Sequence, residues 1–280
     1  MRALKRHRDA GWDRLAAAWD AEAGDTGVRN QRLVIDPVLL DVLGPVKGKR
    51  VLEIGCGNGY LSRVLARRGA RVTAVDFSRK MVEFAAAREQ ATPLGIRYLR
   101  RDAARLSGLR SGSFDAVVAD MCLMDIRDLA GAAREASRVL KPGGRLVFSI
   151  THPVFADWGQ TWIWLRHEGK RYFARGIPTY LTPTAKVVWF PVFGMTNIYK
   201  TTYHRPVETY LRTLAATGLL VDDYRDIRSG KPTVKARPGD RDVSRRRTLY
   251  RTEAEKRAKE RAQREIPVFL VVGAVKGALL

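Results

Sequence analysis

The chain has 280 residues, 45% of them hydrophobic, enough to bury a full core in one enlarged domain or in one domain with insertions. Its two cysteines, Cys56 and Cys122, give neither a disulfide framework nor metal-ligand spacing, so no metal site is expected and a reducing cytoplasm fits. The formal net charge of +22 draws anions, which leaves nucleic acid, phosphorylated metabolites, acidic carrier proteins and a plain arginine-rich composition all open.

The basic N-terminus is interrupted by Asp9, Asp13, Asp20 and Glu22, so no secretory apolar segment follows it. Trp12 and Trp19 stand seven residues apart, on one face of a helix, and residues 1–33 read as an N-terminal helical cap. From residue 34 short apolar runs alternate with helix-like stretches. The runs are 50–54, 71–75, 96–99, 114–118 and 145–150, and the helices are 61–68, 79–90 and 129–140. That rhythm predicts an α/β fold with a parallel sheet over 34–150. Lys141-Pro-Gly-Gly144 predicts a stop between the last of those helices and the fifth strand.

Residues 151–203 break the rhythm and hold 12 of the 24 Phe, Trp and Tyr. Such a block packs a small core of its own as a cap or lid, or walls an apolar substrate pocket with residues such as Trp162 and Trp164; the two readings are compatible. The alternation resumes over 204–280, with a helix at 206–216 and strands at 219–224 and 267–275. Between those strands lies a basic insertion, 228–265, with 14 Lys or Arg against 6 Asp or Glu. Its second half, 248–265, predicts an exposed helix carrying the pairs Glu253–Arg257, Glu255–Lys259 and Glu260–Arg264. The longest apolar run near the end, Val268–Val275, is far shorter than the roughly 20 residues of a membrane helix.

The first strand runs into Glu53-x-Gly55-x-Gly57-x-Gly59. The phosphate-binding GxxxxGK[ST] loop is absent, and Tyr60 stands where a dinucleotide fold would need its third glycine. Glycines let a backbone pass close to a ligand, and the neighbouring carboxylate suits a cationic ligand better than a phosphate. Asp76 ends the second strand, where an acid can hold both ribose hydroxyls; Asp102 follows the third, where a carboxylate can meet an adenine amino group. Each feature alone fits several adenosine ligands.

Together these features resemble the class I S-adenosylmethionine-dependent methyltransferases. The segments "VLEIGCGNGY" (51–60), "AVDFS" (74–78), "RDAARL" (101–106), "FDAVVADMCLMDI" (114–126) and "VLKPGGRLVFSITHP" (139–153) stand where that family's motifs stand. The resemblance implies a Rossmann-like seven-stranded sheet in the order 3-2-1-4-5-7-6, with only the last strand antiparallel. It implies S-adenosyl-L-methionine as cofactor, with Glu53, Gly55, Cys56 and Gly57 at its methionine end. Asp76 would bind the ribose with Phe77 beside the adenine, Asp102 and Ala103 the adenine edge, and Asp120 and Met121 would face the sulfonium. The N-terminal helix would close over the cofactor.

Methyl transfer from a sulfonium requires an aligned acceptor and a dry site, and a protonated acceptor also needs a base. His152 after the fifth strand, Tyr203 and His204 before the late helix, and Asp125 after the fourth strand are the polar candidates, with His152, Tyr203 and His204 as the expected catalytic set. A strand-end histidine and a cap-and-turn histidine are the structural alternatives. The aromatic block, and the absence of an Asn/Asp-Pro-Pro-Tyr-type motif at Asp120-Met-Cys-Leu, point to methylation of O, N or C in a small molecule of secondary metabolism. An RNA methyltransferase gripping phosphates with 228–265 is the alternative, although no RNA-binding fold is recognisable. The same stretch also fits an oligomer contact, and a protein that keeps the cofactor without methylating is a third reading.

Overall fold

Alternate residues of Val51-Leu-Glu-Ile54 project to opposite faces of a strand, and that alternation serves two cores. In the computed structural model, which describes residues 10–155, 161–177, 179–189, 199–228 and 253–277, Leu52 and Ile54 enter one apolar cluster and Val51 the other. A strand buried on both faces needs helices on both sides, and the chain supplies them.

In chain order the elements begin with helix α1 (Ala10–Ala23), a π-helical turn (Gln31–Ile35) and α2 (Asp36–Leu43). Then follow β1 (Arg50–Ile54), α3 (Tyr60–Arg67), β2 (Arg71–Asp76), α4 (Arg79–Ala91), β3 (Arg97–Arg100) and β4 (Phe114–Asp120). A 3-10 turn (Leu123–Asp125) leads to α5 (Leu129–Val139) and β5 (Leu140–Thr151). Two short hairpins come next, β6 (Thr161–His167) with β7 (Lys170–Gly176), and β8 (Thr184–Trp189) with β9 (Tyr199–His204). The chain returns through α6 (Val207–Ala215), β10 (Leu219–Arg228), α7 (Glu253–Glu265) and β11 (Pro267–Lys276).

The main sheet has seven strands in the order β10-β11-β5-β4-β1-β2-β3. β11 runs antiparallel to both its neighbours and the other pairings are parallel, which is the topology the resemblance implied. On one face the small residues Ala132, Ala133 and Ala136 of α5 and Tyr210 and Leu214 of α6 pack on Leu52, Ile54 and Phe148. On the other, Leu39 and Leu43 of α2 and Leu61 and Leu65 of α3 pack on Val51, Val72 and Val271. Fully burying each of these leucines is worth about 2 kcal/mol, so the sheet is held by many equal contributions.

Two expectations need adjusting. The segment Lys141–Gly144 stops α5 but does not separate it from β5: pairing begins at once at Phe114 with Leu140, and a bulge before Ala116 absorbs the glycines. Gly143 takes φ +73°, a conformation open to glycine at no steric cost. The aromatic block, for which no period was legible, forms antiparallel hairpins. The predicted exposed helix is α7; where 248–265 predicted i,i+4 pairs, a Lys256–Glu253 pair at 3.4 Å is seen. Trp158 and 229–252, the greater part of the basic insertion, lie outside the described residues, as does the Trp162 side chain. Among the described residues no helix is long and apolar enough to cross a membrane.

Candidate active site

The C-terminal ends of the parallel strands open onto a cavity of about 350 Å³. This is the edge where open α/β sheets take their ligands. All of Glu53, Gly55, Cys56, Gly57, Asp76, Phe77, Asp102, Ala103, Asp120 and Met121 line it.

The turn after β1 needs its glycines for different reasons. Gly55, Gly57 and Gly59 all take positive φ, +69°, +54° and +77°. A Cβ on Gly55 would stand 2.5 Å from Cβ of Cys122, so the turn could not pack against the strand-4 loop. A Cβ on Gly57 would meet only Nε1 of Trp19, at 3.8 Å, and would otherwise project into the cavity. The Gly57 amide donates to Oδ2 of Asp76 at 2.9 Å and the Ser78 amide to its Oδ1 at 2.8 Å, which fixes that carboxyl at the end of β2. Ser78 then caps α4 by accepting from the Met81 amide. Asp102 accepts from the Ala104 amide at 2.9 Å, and Phe77 lies half-open under the Arg100 guanidinium.

Beneath the cavity floor is a chain of buried polar groups. Asp120 accepts from Ser149 Oγ at 2.5 Å, Tyr60 Oη at 2.6 Å and Gln31 Nε2 at 2.9 Å. Tyr60 Oη also lies 3.1 Å from Oδ1 of Asp36. Burial first, and then the charge of Asp120, pushes the Asp36 carboxyl up to about 8, against the hydrogen bond from the Tyr60 hydroxyl, which stands between the two carboxyls. Burial raises Asp120 as well. Burial pushes Glu53 up to about 8 against the hydrogen bond donated by Ser62, and Asp76 up to about 6. Among the described residues none of Glu53, Asp76 or Asp120 has an ion-pair partner. Three carboxyls on one cavity, none of them ion-paired among the described residues, suit a ligand that brings positive charge and hydroxyl donors of its own.

The roof comes from α1 and the second hairpin. Trp12 and Trp19 of α1 meet edge to face at 5.6 Å and both line the cavity. The helix is fastened by Asp13, which accepts from Ser78 Oγ at 2.5 Å, and by Asp20, which accepts from Asn58 at 3.0 Å and pairs with Arg88 at 2.6 Å. From β9, Lys200, Thr202 and Tyr203 also line the cavity, near Asp125 on the turn after β4. Lys200 Nζ reaches Oδ2 of Asp125 at 2.6 Å and stands 4.8 Å from the Trp12 ring centre. Met121, where β4 gives way to that turn, holds φ +50°, and its amide donates to Ser149 Oγ at 2.9 Å. Such an outlier on a non-glycine residue costs about 1–3 kcal/mol and tends to persist at binding sites.

The two histidines depart from expectation, since neither lines the cavity. His152 is buried behind the end of β5, with Nδ1 accepting from the Val154 amide at 3.2 Å and Nε2 3.2 Å from Asp226 of β10. Burial lowers its pKa against the pull of Asp226, which favours the neutral ring. His204 is also buried, its Nε2 donating to the Tyr180 carbonyl at 2.7 Å. Strand alternation explains the second case, because Lys200, Thr202 and His204 share the buried side of β9 but only the first two lie level with the cavity. Tyr203 and Asp125 do line it. Sequence reasoning missed Lys200, Thr202 and Gln31; a lysine on the buried side of a strand was the one available signal.

With this geometry in hand, the comparisons are direct. Residues 52–148 match the methyltransferase domain family. That match covers about a third of the chain, and the strand order and the glycine-and-acid cavity are similar to those of the class I S-adenosylmethionine-dependent methyltransferases. A curated relative, the ubiquinone biosynthesis O-methyltransferase of Xanthomonas oryzae pv. oryzae, is 33% identical over 163 residues, 57% of this chain and 64% of that protein. The chain thus spans less than two thirds of that relative's length. A solved S-adenosylmethionine-dependent methyltransferase from Mesorhizobium loti is 28% identical, with a TM-score of 0.62 over 85% of this chain and 96% of that one. The [4+2]-cyclase SpnF, 20% identical with a TM-score of 0.59 over 98% of this chain and 97% of that one, shares the fold alone.

Proposed function

We propose that the protein transfers the methyl group of S-adenosylmethionine to a small molecule. The observation that carries this reading is the set of carboxyls with no ion-pair partner among the described residues, Glu53, Asp76 and Asp120, gathered on one cavity beside Gly57. An ammonium, a sulfonium and two ribose hydroxyls are what such a set can satisfy. Glu53 and the Gly55–Gly57 backbone hold the amino-acid end, Asp76 the ribose, Phe77, Asp102 and Ala103 the adenine, and Asp120 with Met121 the sulfur end. Bound S-adenosylmethionine supplies a methyl group already activated on a cationic sulfur. What remains for the protein is alignment and exclusion of water, which the α1 tryptophans and β9 provide by roofing the cavity.

The acceptor is a small molecule because the space left beside Asp125, Lys200 and Tyr203 is walled by α1 and the β8–β9 hairpin. Oxygen as the accepting atom is supported by the relative named as an O-methyltransferase. Calorimetric titration with S-adenosylmethionine and S-adenosylhomocysteine tests the reading at its base. Stoichiometric binding of both is expected, weakened at least tenfold by Asp76→Ala; absence of binding by either would end it.

A further inference from the structure

The Asp125–Lys200 pair sits where the cofactor reading leaves the acceptor, two strands along the sheet from Asp76: Asp76 ends β2, whereas Asp125 follows β4. Its side chains are 8% and 7% exposed, and Lys200 Nζ lies 2.6 Å from Oδ2 of Asp125. Oδ1 of the same carboxylate is buried and accepts no hydrogen bond from the described residues. A pair serving stability alone would satisfy both oxygens, because a buried carboxylate oxygen left bare is costly. Nearby, Thr202 spends its hydroxyl on the Met124 carbonyl at 3.1 Å, so it cannot relieve Asp125.

We infer that Asp125 is the group that receives the acceptor's hydroxyl hydrogen, with Lys200 as the positioning residue that holds it in place. This rests on the methyltransferase reading above and specifies its acceptor. The ligand chemistry is a neutral phenolic O–H. An ammonium would meet the Lys200 charge, and a carboxylate would compete with Asp125 for Lys200. A neutral donor adds the missing hydrogen bond without disturbing the pair. A flat ring matches the walls, where the Trp12 indole lies against Lys200 and Tyr203 and Met124 flank the cavity. In the reaction the phenolic oxygen bonds to the methyl carbon as the carbon–sulfur bond breaks and its electron pair stays on sulfur. The phenolic proton passes to Asp125, held in place by Lys200, and from there to water.

Calorimetry with catechol on the protein saturated with S-adenosylhomocysteine tests this without turnover. Catechol binding is expected in the unaltered protein and at least tenfold weaker in Asp125→Asn, with S-adenosylhomocysteine affinity held within twofold. Should Asp125→Asn not fold, the double variant Asp125→Asn with Lys200→Gln, in which neither buried charge is stranded, carries the same comparison. Catechol binding that ignores these substitutions, or no catechol binding while S-adenosylhomocysteine binds, overturns the assignment of Asp125 and leaves the methyltransferase reading standing. Failure of S-adenosylhomocysteine to bind the unaltered protein removes both.

Discussion

At the scale of single residues, the glycines and acids of the strand ends make separable predictions. Gly57→Ala places a methyl in the cavity and should cost cofactor affinity at least tenfold, with only about 1 kcal/mol of stability for its positive φ. Gly55→Ala drives a Cβ against Cys122 and should lower the melting temperature more than it lowers affinity per folded molecule. Calorimetry and thermal unfolding on both variants separate the cases; equal loss of affinity at equal stability would contradict the packing argument. Glu53 predicts a pH effect. Its carboxyl is held near 8 when folded and near 4.5 when unfolded, so it stabilises the ligand-free protein fully below pH 4.5, and this contribution is lost as pH rises toward 8. Glu53→Gln should therefore flatten the fall in melting temperature between pH 5 and 8, and an unchanged slope would remove Glu53 as its source. These residues were legible in the sequence because a glycine turn and strand-end acids sit at fixed spacings. The Asp36–Tyr60–Asp120 relay was not, since Tyr60 announced itself only as a missing glycine and its partners lie 24 and 60 positions away.

Elements were legible where a period repeats and illegible where tertiary contacts choose the conformation. β1, β2, β4, β11 and the helices between the early strands follow from alternation and amphipathic spacing. The hairpins of 161–204 do not, because they pair only in twos, outside the main sheet, so no repeating strand–helix period marks them. Beside the Lys200–Asp125 and Thr202–Met124 contacts, a further side chain holds β9 to the cavity. Arg205, 8% exposed, donates from Nη1 to the Leu123 carbonyl at 3.3 Å and from Nη2 to the Ile126 and Arg127 carbonyls at 2.6 and 2.8 Å. It thereby ties the end of the hairpin to the turn that carries Asp125. Arg205→Met should strand those carbonyls and cost about 3 kcal/mol. Amide exchange should rise over 121–127 and 199–204 while 50–58 stays protected. An unchanged exchange pattern over 121–127 would show that the hairpin is positioned by something other than this arginine.

At the scale of the whole molecule the net charge of +22 must coexist with a cavity whose ligating groups are acidic. The two features occupy different places: Lys256, Arg257, Arg261 and Arg264 of α7 are exposed, whereas Glu53 and Asp120 are buried at the strand ends. Charge outside and a neutralised acid cluster inside respond differently to salt. Polyanion binding through surface Lys and Arg releases counterions, and six to ten phosphate contacts lose about 10³–10⁵ in affinity between 50 and 200 mM salt. Cofactor binding in the buried cavity is screened far less. Bulk RNA should therefore be held at 50 mM salt and released by 200 mM, while S-adenosylhomocysteine affinity changes less than twofold over the same range. Filter retention of labelled RNA and calorimetry of the cofactor across one salt series measure both. RNA that stays bound at 200 mM, with a preference among sequences, would make the basic surface a substrate-reading face and shift the acceptor from a phenol to a nucleic acid.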